Sequence, residues 1–173
     1  MKLIKKYILA FDTTLAVLFT LLALIFMPLK ISAILIKDIL GMGIGVLSVI
    51  FSIFFAALAF IISASDDDFV EFLERKGLFT RLIDNFNWTV GSLFIALIYS
   101  IILYSLCAFE LNNKSNFEIS EYLVAVFVFL FFYSLIATIL STNDAIRYSK
   151  TRIKFVQIMR KKKDEANEED VKE

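Results

Sequence analysis

Four apolar runs, separated by short polar connections, organise the chain. They cover residues 7–29, 39–63, 89–109 and 122–140. A helix rises about 1.5 Å per residue and a bilayer core is about 30 Å thick, so roughly 20 apolar residues span it. Each run is long enough or nearly so. The pattern predicts an all-α integral membrane protein, a four-transmembrane-helix bundle. A short amphipathic cytoplasmic helical connector is expected at 64–88, and a C-terminal helical extension after the fourth run. The transmembrane domain would occupy 1–143 and a basic juxtamembrane helix 144–163. The acidic tail at 164–173 lacks aromatics and is expected to be disordered.

The chain starts MKLIKK and then turns apolar, as a secretory signal does. The run is too long for a signal core, and no small-x-small cleavage site follows, so it reads as an uncleaved first span. Pro28 would cap or kink its far end. The link at 30–38 is short, so spans one and two are expected to be antiparallel neighbours.

The placement of positive charge predicts orientation. From the N-terminus, the five segments outside the runs carry three, two, three, one and nine Lys or Arg. Alternate sides therefore hold fifteen and three. The positive-inside rule puts both termini and the connector in the cytoplasm, at a plasma membrane such as a bacterial inner membrane. Over the whole chain 18 basic and 18 acidic residues cancel, so net charge says nothing about partners.

Span two carries a stripe of small residues. Gly41, Gly45, Ser48, Ser52, Ala56, Ala59 and Ser63 recur at three- and four-residue spacings. At about 100° per residue they fall in an arc of about 80°. Such a seam lets helix backbones approach closely in lipid. Three readings stand: packing within the chain, contact with a second copy in a homo-oligomer, or a pore lining. Span three repeats the device with Ser92, Ala96 and Ser100, and span four with Ser134, Thr138 and Ser141. Trp88 and Tyr122 stand where interfacial aromatic belts form.

Asp12 is the intramembrane carboxylate, about 7 Å into the first span. Its readings are contact with headgroup water, pairing with Lys5, Lys6 or Arg147, or a role in an ion or proton relay.

The connector reads SDDDFVEFLERKG, then LFTRLIDNFNW. Ser65 and Asp68 have capping-box spacing, and Gly77 suits the position just past a helix end. A helix is expected over 66–76, with a second short amphipathic helix sketched by Leu78, Phe79, Leu82, Ile83 and Phe86. Asp67, Glu71 and Glu74 share one face, which reads first as helix capping with a solvated surface, then as a candidate docking site for a cytoplasmic protein or the chain's own basic C-terminal segment, and last as carboxylates for a divalent metal. The opposite apolar face is expected to pack on protein, because a lipid-binding helix would be basic. Past span four, Arg160, Lys161, Lys162 and Lys163 close a basic stretch and are candidate lipid-headgroup contacts. Nucleic acid is the competing ligand for such a run, but proximity to the bilayer favours lipid, and no nucleic-acid partner is expected.

Candidate chemistry is sparse. The chain has no His, and its one Cys, Cys107, lies inside span three. Missing with His are the commonest general base and the commonest metal ligand. No Gly-rich phosphate loop or nucleophile elbow occurs, so no enzyme, cofactor or metal site is expected. Two classes of function remain. One is a membrane anchor or sensor subunit for a cytoplasmic partner, a layout that suits a bacterial defence or stress system. The other is a small oligomeric channel or pore-forming effector. The connector and tail hold 25 of the 36 charged residues, which favours the anchor.

Overall fold

The computed structural model describes residues 2–26, 32–63, 67–75, 77–113 and 120–170; the side chains of residues 2–12, 26, 67, 113, 162–164 and 166–170 lie outside that description. The described residues form five helices: α1 (Lys2–Phe26), α2 (Ala33–Ser63), α3 (Asp67–Glu74), α4 (Leu78–Asn113) and α5 (Glu121–Asp170). By length and composition, α2, α4 and α5 each contain a stretch able to cross a membrane. In α1 the apolar segment among described side chains is shorter, at Thr13–Ile25. The protein is thus an all-helical membrane protein with three long apolar helices and a fourth, shorter apolar segment.

Helix ends follow local capping. Ser32 starts α2: its hydroxyl accepts from the Ile34 N–H at 3.3 Å and its carbonyl from the Ile36 N–H at 3.1 Å. A serine in this place satisfies donors that a helix N-terminus leaves open. The helix therefore begins six residues before the expected span. Ser120 precedes α5, its carbonyl accepting from the Leu123 N–H at 2.9 Å, and Glu121 in the first turn complements the helix dipole. Gly77 takes φ +61° and closes α3, as its place in the sequence suggests. Ser65, the other expected capping residue, lies outside the described residues.

Three expectations are corrected by these helices. The short helix drawn at 78–86 is the first part of α4, which runs unbroken into span three. No proline interrupts it, and Gly91, its one glycine, is tolerated. Helix also continues through Asp170, over most of the segment expected to be disordered. Nothing in α5 is Gly or Pro, and Lys, Glu and Ala are good helix formers. The third correction concerns α1, which packs on α5, whereas no comparable packing joins it to α2 among the described residues. A link of about six residues can stretch about 20 Å, so a short connection did not force contact.

The packing order is α1, α5, α4, α2, with α3 on α4 and a minor contact between α2 and α5. Neighbours are antiparallel. Phe19 stacks on Phe132 with centroids 5.1 Å apart, while Ala16 packs with Tyr133 and Ile136. Thr89 meets Ser141, and Tyr99 meets the Leu123 carbonyl. Phe54 stacks on Phe86 at 5.5 Å. The N-terminal end of α1 therefore lies at the same end of the bundle as α3 and the extension of α5.

The core has three parts. Leu47, Phe54, Leu82, Phe86 and Leu93 join α2 to α4. Ile36, Leu40, Leu103, Cys107 and Phe127 bring α2, α4 and α5 together towards the other end. The third joins α1 to α5 around Ala16. Ala96, Ser100, Ser134 and Ser141 are all buried, so these small and hydroxyl residues of α4 and α5 face the bundle, whereas Ser105 is exposed.

Candidate functional site

The connector and the extension of α5 form one unit. Phe69 and Leu73 are buried, at 1% and 3% exposure, under the face that α3 turns to the protein. The Phe69 ring lies 5.3 Å from both Tyr148 and Phe155, and Phe72 lies 5.1 Å from Phe155. Aromatic pairs at such distances add about 0.5–1.5 kcal/mol each beyond area burial. The apolar side of the connector thus packs on protein, and it clamps α5 about two to four turns beyond its apolar run.

The acidic face of α3 is largely used nearby. Glu71 pairs with Arg75 at 2.9 Å, both well exposed, an interaction of small energy in water. Glu74 accepts from the Thr80 N–H at 3.1 Å and from its hydroxyl at 2.8 Å. It therefore caps the first turn of α4 from the preceding helix. Asp67 belongs to α3, and its side chain lies outside the described residues. Among the described residues, no three Cys, Asp or Glu side chains gather as metal ligands would.

A ladder of polar contacts joins α4 to α5. Asn85 donates to the Asp144 carboxylate at 2.9 Å, and the buried Thr89 and Ser141 hydroxyls share a hydrogen bond of 2.6 Å. Ser134 donates to the Ser92 carbonyl at 3.3 Å, and Trp88 Nε1 to the Tyr133 hydroxyl at 2.8 Å. Sequence reasoning missed the Asn85–Asp144 pair. A signal was available, since each residue lies four positions outside an expected span end on the same side. Antiparallel neighbours bring such positions level.

Most of the small-residue stripe of α2 faces away from the other helices, although a Cβ at Gly41 would meet the Tyr104 ring of α4 at 3.6 Å. Gly41, Gly45, Ser52, Ala56, Ala59 and Ser63 are exposed, and Ser48 is half-buried. The packed face carries Ile36, Leu40, Gly43, Leu47, Phe54 and Ile61. At about 100° per residue the two faces are centred about 150° apart. The hydroxyls of the stripe are satisfied by their own helix: Ser52 donates to the Ser48 carbonyl at 2.9 Å and Ser63 to the Phe60 carbonyl at 3.2 Å. Such back-bonding leaves no stranded donor on a lipid-facing surface.

Arg160 and Lys161 are exposed on α5, while the side chains of Lys162 and Lys163 lie outside the described residues. Arg160 stands twenty residues past Leu140 on one helix, which is about 30 Å along the axis. Asp12 falls within α1, one turn before Ala16, and its side chain is likewise outside the description. Trp88 and Tyr122 are exposed, as interfacial residues would be.

No protein-family model matches the chain, and no curated protein or solved structure matches it either.

Proposed function

We propose that this protein is a non-enzymatic plasma-membrane anchor that presents the extension of α5 to a cytoplasmic partner. The carrying observation is the α3–α5 clamp. Phe69 and Phe72 hold one face of α5 at Tyr148 and Phe155, so a charged helix leaves the bundle in a defined direction. A segment that only solubilised the chain would need no such brace. In this reading α1 is the fourth span, and both termini and α3 are cytoplasmic. The 25 residues of α1 reach about 37 Å, enough to cross. The Lys and Arg bias supports the same orientation. A place in a bacterial defence or stress system fits this layout.

Photocrosslinking in the native cell tests the anchor. Benzoyl-phenylalanine replacing Ile153 should give one adduct with a soluble protein identified by mass spectrometry. The same group replacing lipid-facing Val49 should not. Absence of any protein adduct from position 153 would overturn the anchor reading.

A second reading, an oligomeric channel or pore-forming effector, is favoured by the outward small-residue stripe of α2. Six exposed small positions, with half-buried Ser48 among them, suit close approach of a second copy. Ion flux from reconstituted vesicles would support it, and vesicles tight at all protein densities would count against it.

A further inference from the structure

Among the described residues, the extension of α5 carries an exposed face opposite its contacts with α3. With Ile146 taken as zero, Tyr148 and Phe155 lie near 180–200° at about 100° per residue, and they meet α3. Ile146, Ile153 and Val156 lie between about 0° and −80°, on the far side. All three are exposed, at 47%, 57% and 41%. Their spacings of seven and three are those of an apolar seam between paired helices. Lys150, Lys154 and Lys161 run beside them within an arc of about 40°, and all three are exposed.

We infer that this face receives an acidic amphipathic helix of a cytoplasmic protein, its apolar seam on Ile146, Ile153 and Val156 and its carboxylates on Lys150, Lys154 and Lys161. This deepens the anchor reading and rests on it. Charge decides between the candidate occupants. No Asp or Glu occurs between 145 and 163, whereas five fall within 164–170. A second copy in the same membrane would emerge in the same direction, and its α5 would lie parallel. Basic would then face basic and acidic would face acidic, which repels. An anionic bilayer is too distant for most of the face. Lys154 and Lys161 stand about 20 and 30 Å beyond Leu140, against a screening length of about 10 Å. Nucleic acid would gain nothing from the apolar seam and would be repelled by the acidic block that follows.

Full-length protein in neutral phosphatidylcholine nanodiscs tests this. The probe is a labelled 21-residue helical peptide with Leu on one seam and Glu beside it. A scrambled peptide of equal composition is the control, with single-stranded RNA and phosphatidylserine vesicles as the other arms. The seam peptide should bind at least tenfold more tightly than the scrambled one. Ile153→Asp and the triple variant Lys150→Glu/Lys154→Glu/Lys161→Glu should each weaken it at least tenfold with helicity unchanged. Equal binding of the two peptides, tighter binding of RNA, or association with phosphatidylserine vesicles alone would overturn the inference. If these fail while position 153 still crosslinks to a soluble protein in cells, the partner chemistry is wrong and the anchor stands. If both fail, both fall.

Discussion

The backbone of Gly43 lies so close to Phe127 that a methyl group on Gly43 would sit 2.7 Å from the ring Cζ. This contact is where α2 meets α5, inside a cluster that also holds Leu40, Leu103 and Cys107. Gly43→Ala should therefore lower stability by about 1–3 kcal/mol, the usual cost of overfilling a packed core. Phe127→Leu, introduced with it, should recover part of the loss. Thermal unfolding in detergent measures both; a Gly43→Ala protein as stable as the parent would refute the close contact.

Gly45, two residues on, should behave in the opposite way. A Cβ there meets nothing within 4 Å. Gly45→Leu should change the unfolding transition by no more than about 0.5 kcal/mol, as a free surface position does. If copies associate through the stripe, the same variant should abolish energy transfer between donor- and acceptor-labelled protein in vesicles. Unchanged transfer would remove the stripe as an oligomer contact.

The hydroxyls of Thr89 and Ser141 meet in the α4–α5 interface, both nearly inaccessible. A double-mutant cycle with Thr89→Val and Ser141→Ala should give a coupling of about 0.6 kcal/mol and no more than about 2, the range for hydrogen bonds between helices in membranes. The Asn85–Asp144 pair should couple more strongly, because its acceptor carries charge. The reverse ranking would mean that water screens the outer pair.

Phe155 anchors two rings of α3 at once. Phe155→Ala should release α3 while leaving the bundle intact. Amide exchange at 68–75 should then accelerate at least tenfold, with exchange at Leu93 and Leu103 unchanged. Equal acceleration in both regions would make Phe155 part of the global core.

Cysteine labelling tests the number of crossings. Cys107 is buried, so an introduced cysteine reports alone in intact cells. Lys5→Cys and Ser149→Cys should label from the same side and Asn112→Cys from the other. Opposite labelling of positions 5 and 149 would reduce the spans to three.

The helices were legible wherever hydropathy and capping agreed, as at Gly77 and in the apolar runs of α2, α4 and α5. Lengths were less so. Loss of hydropathy at 78–88 and after 140 marks where lipid would end, but a helix stops only when its backbone is interrupted, and neither α4 nor α5 contains such an interruption. Neighbour choice was not legible from the short 30–38 link, because Ala16 fits the Tyr133–Ile136 surface of α5. The small-residue stripe was visible as a pattern, yet its partner was not. Periodicity shows that residues share a face without saying what the face meets, and within this chain the close approach falls to Gly43 instead.

An uninterrupted α5 also has a mechanical meaning. From Leu140 to Asp170 it is an arm of about 45 Å. A tilt of about 10° within the bundle would carry its tip about 8 Å sideways, by the same rise per residue. The aromatic clamp grips the arm about 12 to 22 Å from Leu140, so small rearrangements among the helices would be magnified beyond that grip.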